Sequence, residues 1–329
     1  MLWKPKGAAL PPVAAAVTAA PAASPQSAPA AATQTALNAS PPAPLATRGM
    51  GAQVHPDFPI DTATEQHVLN NVTTPEQRGI AVFRFRPNPR ILVLDFASLH
   101  EQGRMLNRAA ALIEKTGLPR DRLLDDADLD AAIKAAGDTV ETFYYGHDYG
   151  SPSLARFFSL ADQENIPLTD EEKSLRHLLH QDDWFAPDAR AALISIPQVG
   201  ADEHVTLRAR ATILHHELSH GEYFTNPAYA AYVHHFWKQT LSEAERQQIR
   251  EHLRSLGYDP TLDDLMENEA QAYLMFTDDA EFFTPDMFGM TKGRLAELRS
   301  GFYRTMPQGW LRDSLGVTLG VNKTAAEHQ

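Results

Sequence analysis

A mostly helical α+β fold is predicted by three features of the sequence. Short β-branched and aromatic runs at 80–85, 91–96 and 191–197 read as strands of a small mixed sheet. Longer stretches with apolar residues three and four apart, closed by glycine or proline, read as helices. The last strand leads through Gly200-Ala201-Asp202 into a long helix around Ala211–Tyr223, so the sheet precedes that helix and a C-terminal helical subdomain follows it.

Residues 1–50 consist largely of Ala and Pro and carry few large apolar side chains. Such a segment cannot offset its ordering entropy and is expected to be disordered. Lys4 and Lys6, the run Ala8–Ala20 and the small residues Ala20-Pro21-Ala22-Ala23 resemble a weak secretory signal within residues 1–25. Pro11-Pro12 and the scarcity of Leu count against it. The expectation is an exported protein, periplasmic or secreted, the alternative being a cytoplasmic one with a low-complexity tail. Residues 51–78 read as a linker and 319–329 as a polar tail.

Ile80–Phe85 and Ile91–Phe96 are strands split by the turn Arg86-Pro87-Asn88-Pro89. Helices follow at about 98–115, stopped by Gly117 and Pro119, and at about 127–136, stopped by Gly137. The aromatic stretch Phe143-Tyr144-Tyr145-Gly146-His147-Asp148-Tyr149-Gly150 reads either as a packed connector, the favoured reading, or as a cleft loop. Two more helices, at about 153–163 and 170–180, lead to the strand ended by Pro197. His177 and His180 read as surface histidines. A sheet just ahead of the long helix is the order needed if a sheet edge is to hold an extended peptide.

Within the long helix, His216-Glu217-Leu218-Ser219-His220 places two histidines one turn apart on one face, where both rings reach a single metal ion. Glu217 then stands beside that ion, placed to take a proton from water. With 14 histidines in the chain, a chance match is the competing account. A helical wheel separates the two. With His216 at zero, His220 falls at about 40° and Glu217 at about 100°. Leu207, Ala211, Leu214 and Leu218 form the apolar back, and Ala209 and Ile213 flank the histidines. A helix apolar on two sides is largely buried, and inward-facing histidines beside a glutamate need hydrogen-bond partners or a cation. His215 lies off this face.

A third protein ligand is required. Asn226 caps and Pro227 opens an aromatic helix, and Ser242 with Glu245 forms a capping box for the next. The helix at about 262–276 carries the informative residue. Leu262, Leu265, Met266, Ala272, Tyr273 and Phe276 lie within about 60° of Glu269, while Asp263, Asp264, Glu267 and Gln271 fall on the solvent side. A carboxylate amid an apolar stripe is either metal-bound, paired with arginine, or protonated.

These residues resemble the zincin metallopeptidases, and among them the gluzincins, whose third zinc ligand is a downstream glutamate. Asn268-Glu269-Ala270 is similar to the N-E-A around that ligand in thermolysin-type enzymes. The resemblance covers these two helices and their ordering, not the whole chain. It implies a single zincin-like catalytic domain over 79–318, with its cleft between 79–222 and 223–318. It further implies one zinc ion held by His216, His220 and Glu269, Glu217 as general base, and a peptide or protein substrate. The transition-state donor that many gluzincins supply from downstream would fall to Tyr273 or Tyr303, with Arg304 a weaker candidate. Thermolysin-type enzymes carry an Asp four residues after the glutamate ligand, to orient a zinc histidine; that position here is Tyr273. Separation of His220 from Glu269 is also longer in this chain.

Composition excludes other chemistries. With no cysteine, thiolate metal sites and cysteine nucleophiles are ruled out. Lys4, Lys6 and Arg48 are the only charges in the first 50 residues, so taking these three from the net −13 leaves −16 on the rest. So acidic a body opposes nucleic-acid binding, and no 18-residue apolar run exists to span a bilayer. A zinc hydrolase of a non-peptide or cell-wall amide and a non-catalytic binding protein on the same scaffold remain alternatives. No pattern specifies the oligomeric state.

Overall fold

The computed structural model describes residues 57–72, 79–186 and 188–321. The export signal and disordered segment expected at 1–50, parts of the 51–78 linker and most of the 319–329 tail lie outside these residues.

The three strands read from sequence form as β2 (Ile80–Phe85), β3 (Ile91–Phe96) and β5 (Ala192–Pro197). Two more complete the sheet. β1 (Ile60–Ala63) lies in the stretch read as linker, followed by a one-turn helix α1 (Glu65–Asn70) capped by Thr64. β4 (His147–Gly150) lies in the aromatic stretch. The order is β1-β2-β3-β5-β4. β1/β2 and β3/β5 run parallel, whereas β2/β3 and β4/β5 run antiparallel, so β4 is an antiparallel edge strand.

β3 is buried on both faces, which explains its apolar run, interrupted only by Asp95. Leu92, Leu94 and Phe96 pack with α2 (Leu99–Ile113), α4 (Ser151–Glu164) and α5 (Asp170–Gln181). Ile91 and Val93 face Ala209, Ile213, Leu214 and Leu218 of α6 (Leu207–Thr225) on the other side. Helix α3 (Asp126–Ala135) starts at the Asp125 cap. Beyond α6 the chain is helical: α7 (Pro227–His235), a π-turn Phe236–Thr240, α8 (Glu243–Ser255), α9 (Asp263–Phe276), α10 (Lys292–Thr305) and α11 (Trp310–Thr318). Both predicted caps are present, Asn226 on α7 and the Ser242–Glu245 box on α8. No helix among the described residues is long and apolar enough to cross a membrane.

α6 is fixed to the sheet at both ends. Thr206 caps it, and one turn later Arg210, buried, gives two hydrogen bonds to Asp95 of β3 at 2.7 and 3.0 Å. Arg210 also donates to the carbonyls of Pro197 (2.7 Å) and Val68 (2.5 Å), while Asp95 accepts from Asn71 and Gln198. Toward the far end, Gly221 lies against Ile91. A methyl group there would come 2.8 Å from the Ile91 side chain, so glycine lets helix and strand approach.

Two expectations fail for a shared reason: a wheel knows only its own helix. Leu207, assigned to the apolar back of α6, is 73% exposed at the first position of the helix. Glu267 and Gln271, assigned to solvent, are buried, since α9 is covered by α6, α7, α8 and α10. Glu267 accepts from His234 at 2.8 Å. Gln271 bridges Tyr229 and Ser219.

Candidate metal centre

α6 and α9 pack against each other and bring the three expected ligands together. His216 Nε2 lies 3.7 Å from Glu269 Oε2, and His220 Nε2 lies 3.8 Å from Glu269 Oε1. The two imidazoles stand edge to face with centroids 4.7 Å apart. His216, His220 and Glu269 are all fully buried and form a group able to hold a metal ion. Separations near 3.8 Å suit three atoms that each bond one ion at about 2 Å.

The protonation state suits ligation. Burial pushes His220 down to about 4 and His216 well below its usual value, leaving both rings neutral near pH 7. Burial also raises the pKa of Glu269. One hydrogen bond fixes the His216 tautomer. The Thr277 hydroxyl lies 2.8 Å from His216 Nδ1 and donates its single proton to the Ala272 carbonyl at 3.1 Å. Thr277 can therefore only accept from His216, which puts the ring proton on Nδ1 and leaves a lone pair on Nε2. His216 Nε2 has no hydrogen-bond partner among the described residues, although it is completely buried. A buried imidazole nitrogen oriented this way fits a metal ligand. Thr277, the first residue beyond α9, thus orients the His216 ring.

Glu217 lies against Gly146, where an added methyl group would come 2.2 Å from its carboxylate oxygen. Only glycine leaves that space. Gly146 immediately precedes β4, and Asp148 on β4 brings its carboxylate to 3.8 Å from His220 Nε2. Asp148, Glu217 and His220 form a second group of potential ligands. The Phe143–Gly150 stretch, read as a packed connector, is buried as that reading requires, yet it also forms one wall of the site. Asp148, Gly146 and Thr277 were not singled out from sequence. The His147-Asp148 pair in an aromatic, glycine-flanked stretch was the available signal for the first.

The tyrosines divide. Tyr273 is buried and sets its ring edge to face on His216, centroids 4.9 Å apart. Tyr303 on α10 is elsewhere: Arg312 covers its ring at 4.7 Å, and it lines a surface cavity of about 380 Å³ with Leu295 and Arg299. That cavity is lined by none of the three expected ligands. Arg304 is exposed and bonds Ser300. Tyr144 and Tyr258 instead stand near enough for the Glu269 charge to oppose their ionisation, which burial opposes first.

The fold and cluster define a protein with two histidines and a glutamate on adjacent helices beside a small mixed sheet. No protein-family model, curated protein or solved structure matches the chain.

Proposed function

We propose that the protein is a zinc-dependent metallopeptidase in which His216, His220 and Glu269 hold the ion. The observation that carries this reading is the convergence of those three side chains with the His216 lone pair aimed inward by Thr277. Zinc, when bound, supplies Lewis acidity, lowering the pKa of water and polarising a carbonyl. Glu217 accepts a proton from the attacking water and returns it to the leaving amine. Gly146 sets the position of that carboxylate, and Tyr273 packs on the ligand ring from the α9 side. Glu217 favours hydrolysis over a purely structural metal, because a structural site takes four protein ligands and needs no adjacent base. All four residues are buried.

Elemental analysis of purified protein and hydrolysis of a peptide library test the proposal together. One zinc per chain is expected, lost in His216→Ala and Glu269→Ala. Glu217→Gln should keep the metal and lose hydrolysis on the order of 10²-fold or more. Protein without metal, or a fully active Glu217→Gln variant, would overturn the assignment.

A further inference from the structure

Lys292, Leu295, Ala296 and Arg299 of α10 line the surface cavity of about 380 Å³ that Tyr303 also borders. They recur three and four positions apart and so share one side of the helix. Leu319 and Val321, just beyond α11, line the same cavity. Val321 is 57% exposed, so this lining keeps apolar surface in contact with water that a ligand could displace. The cavity therefore joins apolar walls to two cations.

Neither cation makes an ion pair among the described residues, in a chain whose net charge is −13. Arg299 is anchored along one edge. Its Nε donates to the Leu274 carbonyl at 2.7 Å and its Nη2 to the Thr277 carbonyl at 3.1 Å, both at the C-terminal end of α9. Its Nη1 makes no hydrogen bond among the described residues. A guanidinium carries five donors in one plane, so the end formed by Nη1 and Nη2 keeps three. That end matches a planar carboxylate through two parallel bonds. Burial pulls the Arg299 pKa down, opposed by the Asp278 charge, as expected of a guanidinium without a close counter-ion. A hydrated ion such as phosphate would leave the apolar walls wet, whereas an acid carrying an alkyl chain uses walls and cations together.

We propose that this cavity binds a small carboxylic acid with a short alkyl chain. The carboxylate sits on the free end of Arg299 beside Lys292, and the chain lies against Leu295, Ala296, Leu319 and Val321. Through Arg299 the site reaches the end of α9, where the Thr277 hydroxyl accepts from His216. A bound carboxylate steadies Arg299 and with it the two carbonyls that Arg299 holds. The inference stands apart from the metallopeptidase reading.

Calorimetry on the full chain, with hexanoate, hexanamide, acetate and inorganic phosphate as probes, tests the site. Hexanoate should bind, and neutral hexanamide should bind about 10-fold more weakly or worse, having lost the charge-assisted bonds. Acetate should be weaker than hexanoate on the order of 30-fold, since each buried CH2 tightens binding about three- to fourfold. Arg299→Gln should weaken hexanoate about 10-fold or more. Because that variant also releases α9, Ala296→Trp provides the second test: it fills the cavity from an exposed helix position and should abolish binding at an unchanged urea midpoint. Hexanoate should also slow hydrogen exchange of the backbone amides near residues 274–277, with zinc or without it. Absence of hexanoate binding, equal affinity for hexanamide or phosphate, or undiminished binding by Ala296→Trp would overturn the site. Binding with unchanged exchange would overturn its link to α9. Neither readout uses hydrolysis, so failure of the peptidase reading leaves this test intact.

Discussion

α6 carries two buried charge clusters along one helix, and they are balanced in opposite ways. At its first turn Arg210 and Asp95 neutralise each other, and the surrounding carbonyls and amides occupy their remaining hydrogen-bonding positions. Two turns on, His216, Glu217 and His220 meet Glu269 and Asp148 in groups able to hold a metal ion. Burying charge is costly in both places. In the first the chain supplies the counter-charge, and the cluster acts as a structural pin. In the second, on the proposed reading, a metal ion would supply it. Buried charge alone does not mark function; metal-ligating groups gathered around one point do.

Breaking the pin should have the largest effect. Asp95→Ala leaves Arg210 buried and uncompensated and should cost about 3–5 kcal/mol of stability, read as a lower urea midpoint at unchanged slope. A loss below 1 kcal/mol would show that the two clusters are not different in kind. At the other cluster, Gly146→Ala forces the Glu217 carboxylate aside and should lower hydrolysis on the order of 10²-fold while zinc content stays at one per chain. Full activity would mean that Glu217 is not held against this glycine during turnover. Thr277→Val removes the acceptor for His216 Nδ1–H and should weaken zinc affinity about 10- to 100-fold, measured by competition with a chelator. Unchanged affinity would disconnect Thr277 from the ligand.

Taken per pH unit, the last effect is small. His147 on β4 lies within 3.1 Å of Gln102 and 2.9 Å of Ser195, and burial pushes its pKa down to about 3. Between its unfolded value near 6.5 and that folded value, the unfolded chain binds the extra proton. Stability should therefore fall as pH drops from about 6.5 toward 3, by up to about 1.4 kcal/mol per pH unit from this residue. His147→Gln should flatten the slope; identical profiles in urea titrations from pH 7 to 4 would refute the assignment.

What could be read from sequence and what could not follow one physical division. His216, Glu217, His220 and Glu269 were legible because helical periodicity places them on their faces, and polar groups on a buried face demand a reason. The strands β2, β3 and β5 were legible for the same local cause, a dense β-branched run. Asp148 and Gly146 were not, since only the pairing of β4 with β5 brings them to α6. Thr277 reaches His216 across 61 positions of chain. Glu267 and Gln271 were misplaced because the solvent side of α9 is occupied by other helices, which a single-helix wheel omits. Tyr303 was chosen for lying downstream, and chain order did not set its direction. β1 and α1 were too short to carry a periodic signal.

The Thr277 hydroxyl has a second consequence, because the same group both ends α9 and orients a residue of α6. Its proton closes the last open turn of α9 on the Ala272 carbonyl while its oxygen receives His216. A metal ion drawing on His216 and Glu269 therefore tightens a loop that runs from helix to helix through this terminus. Removing the ion should loosen a helix end as well as two side chains, so the backbone amides near residues 273–277 should exchange their hydrogens faster in metal-free protein.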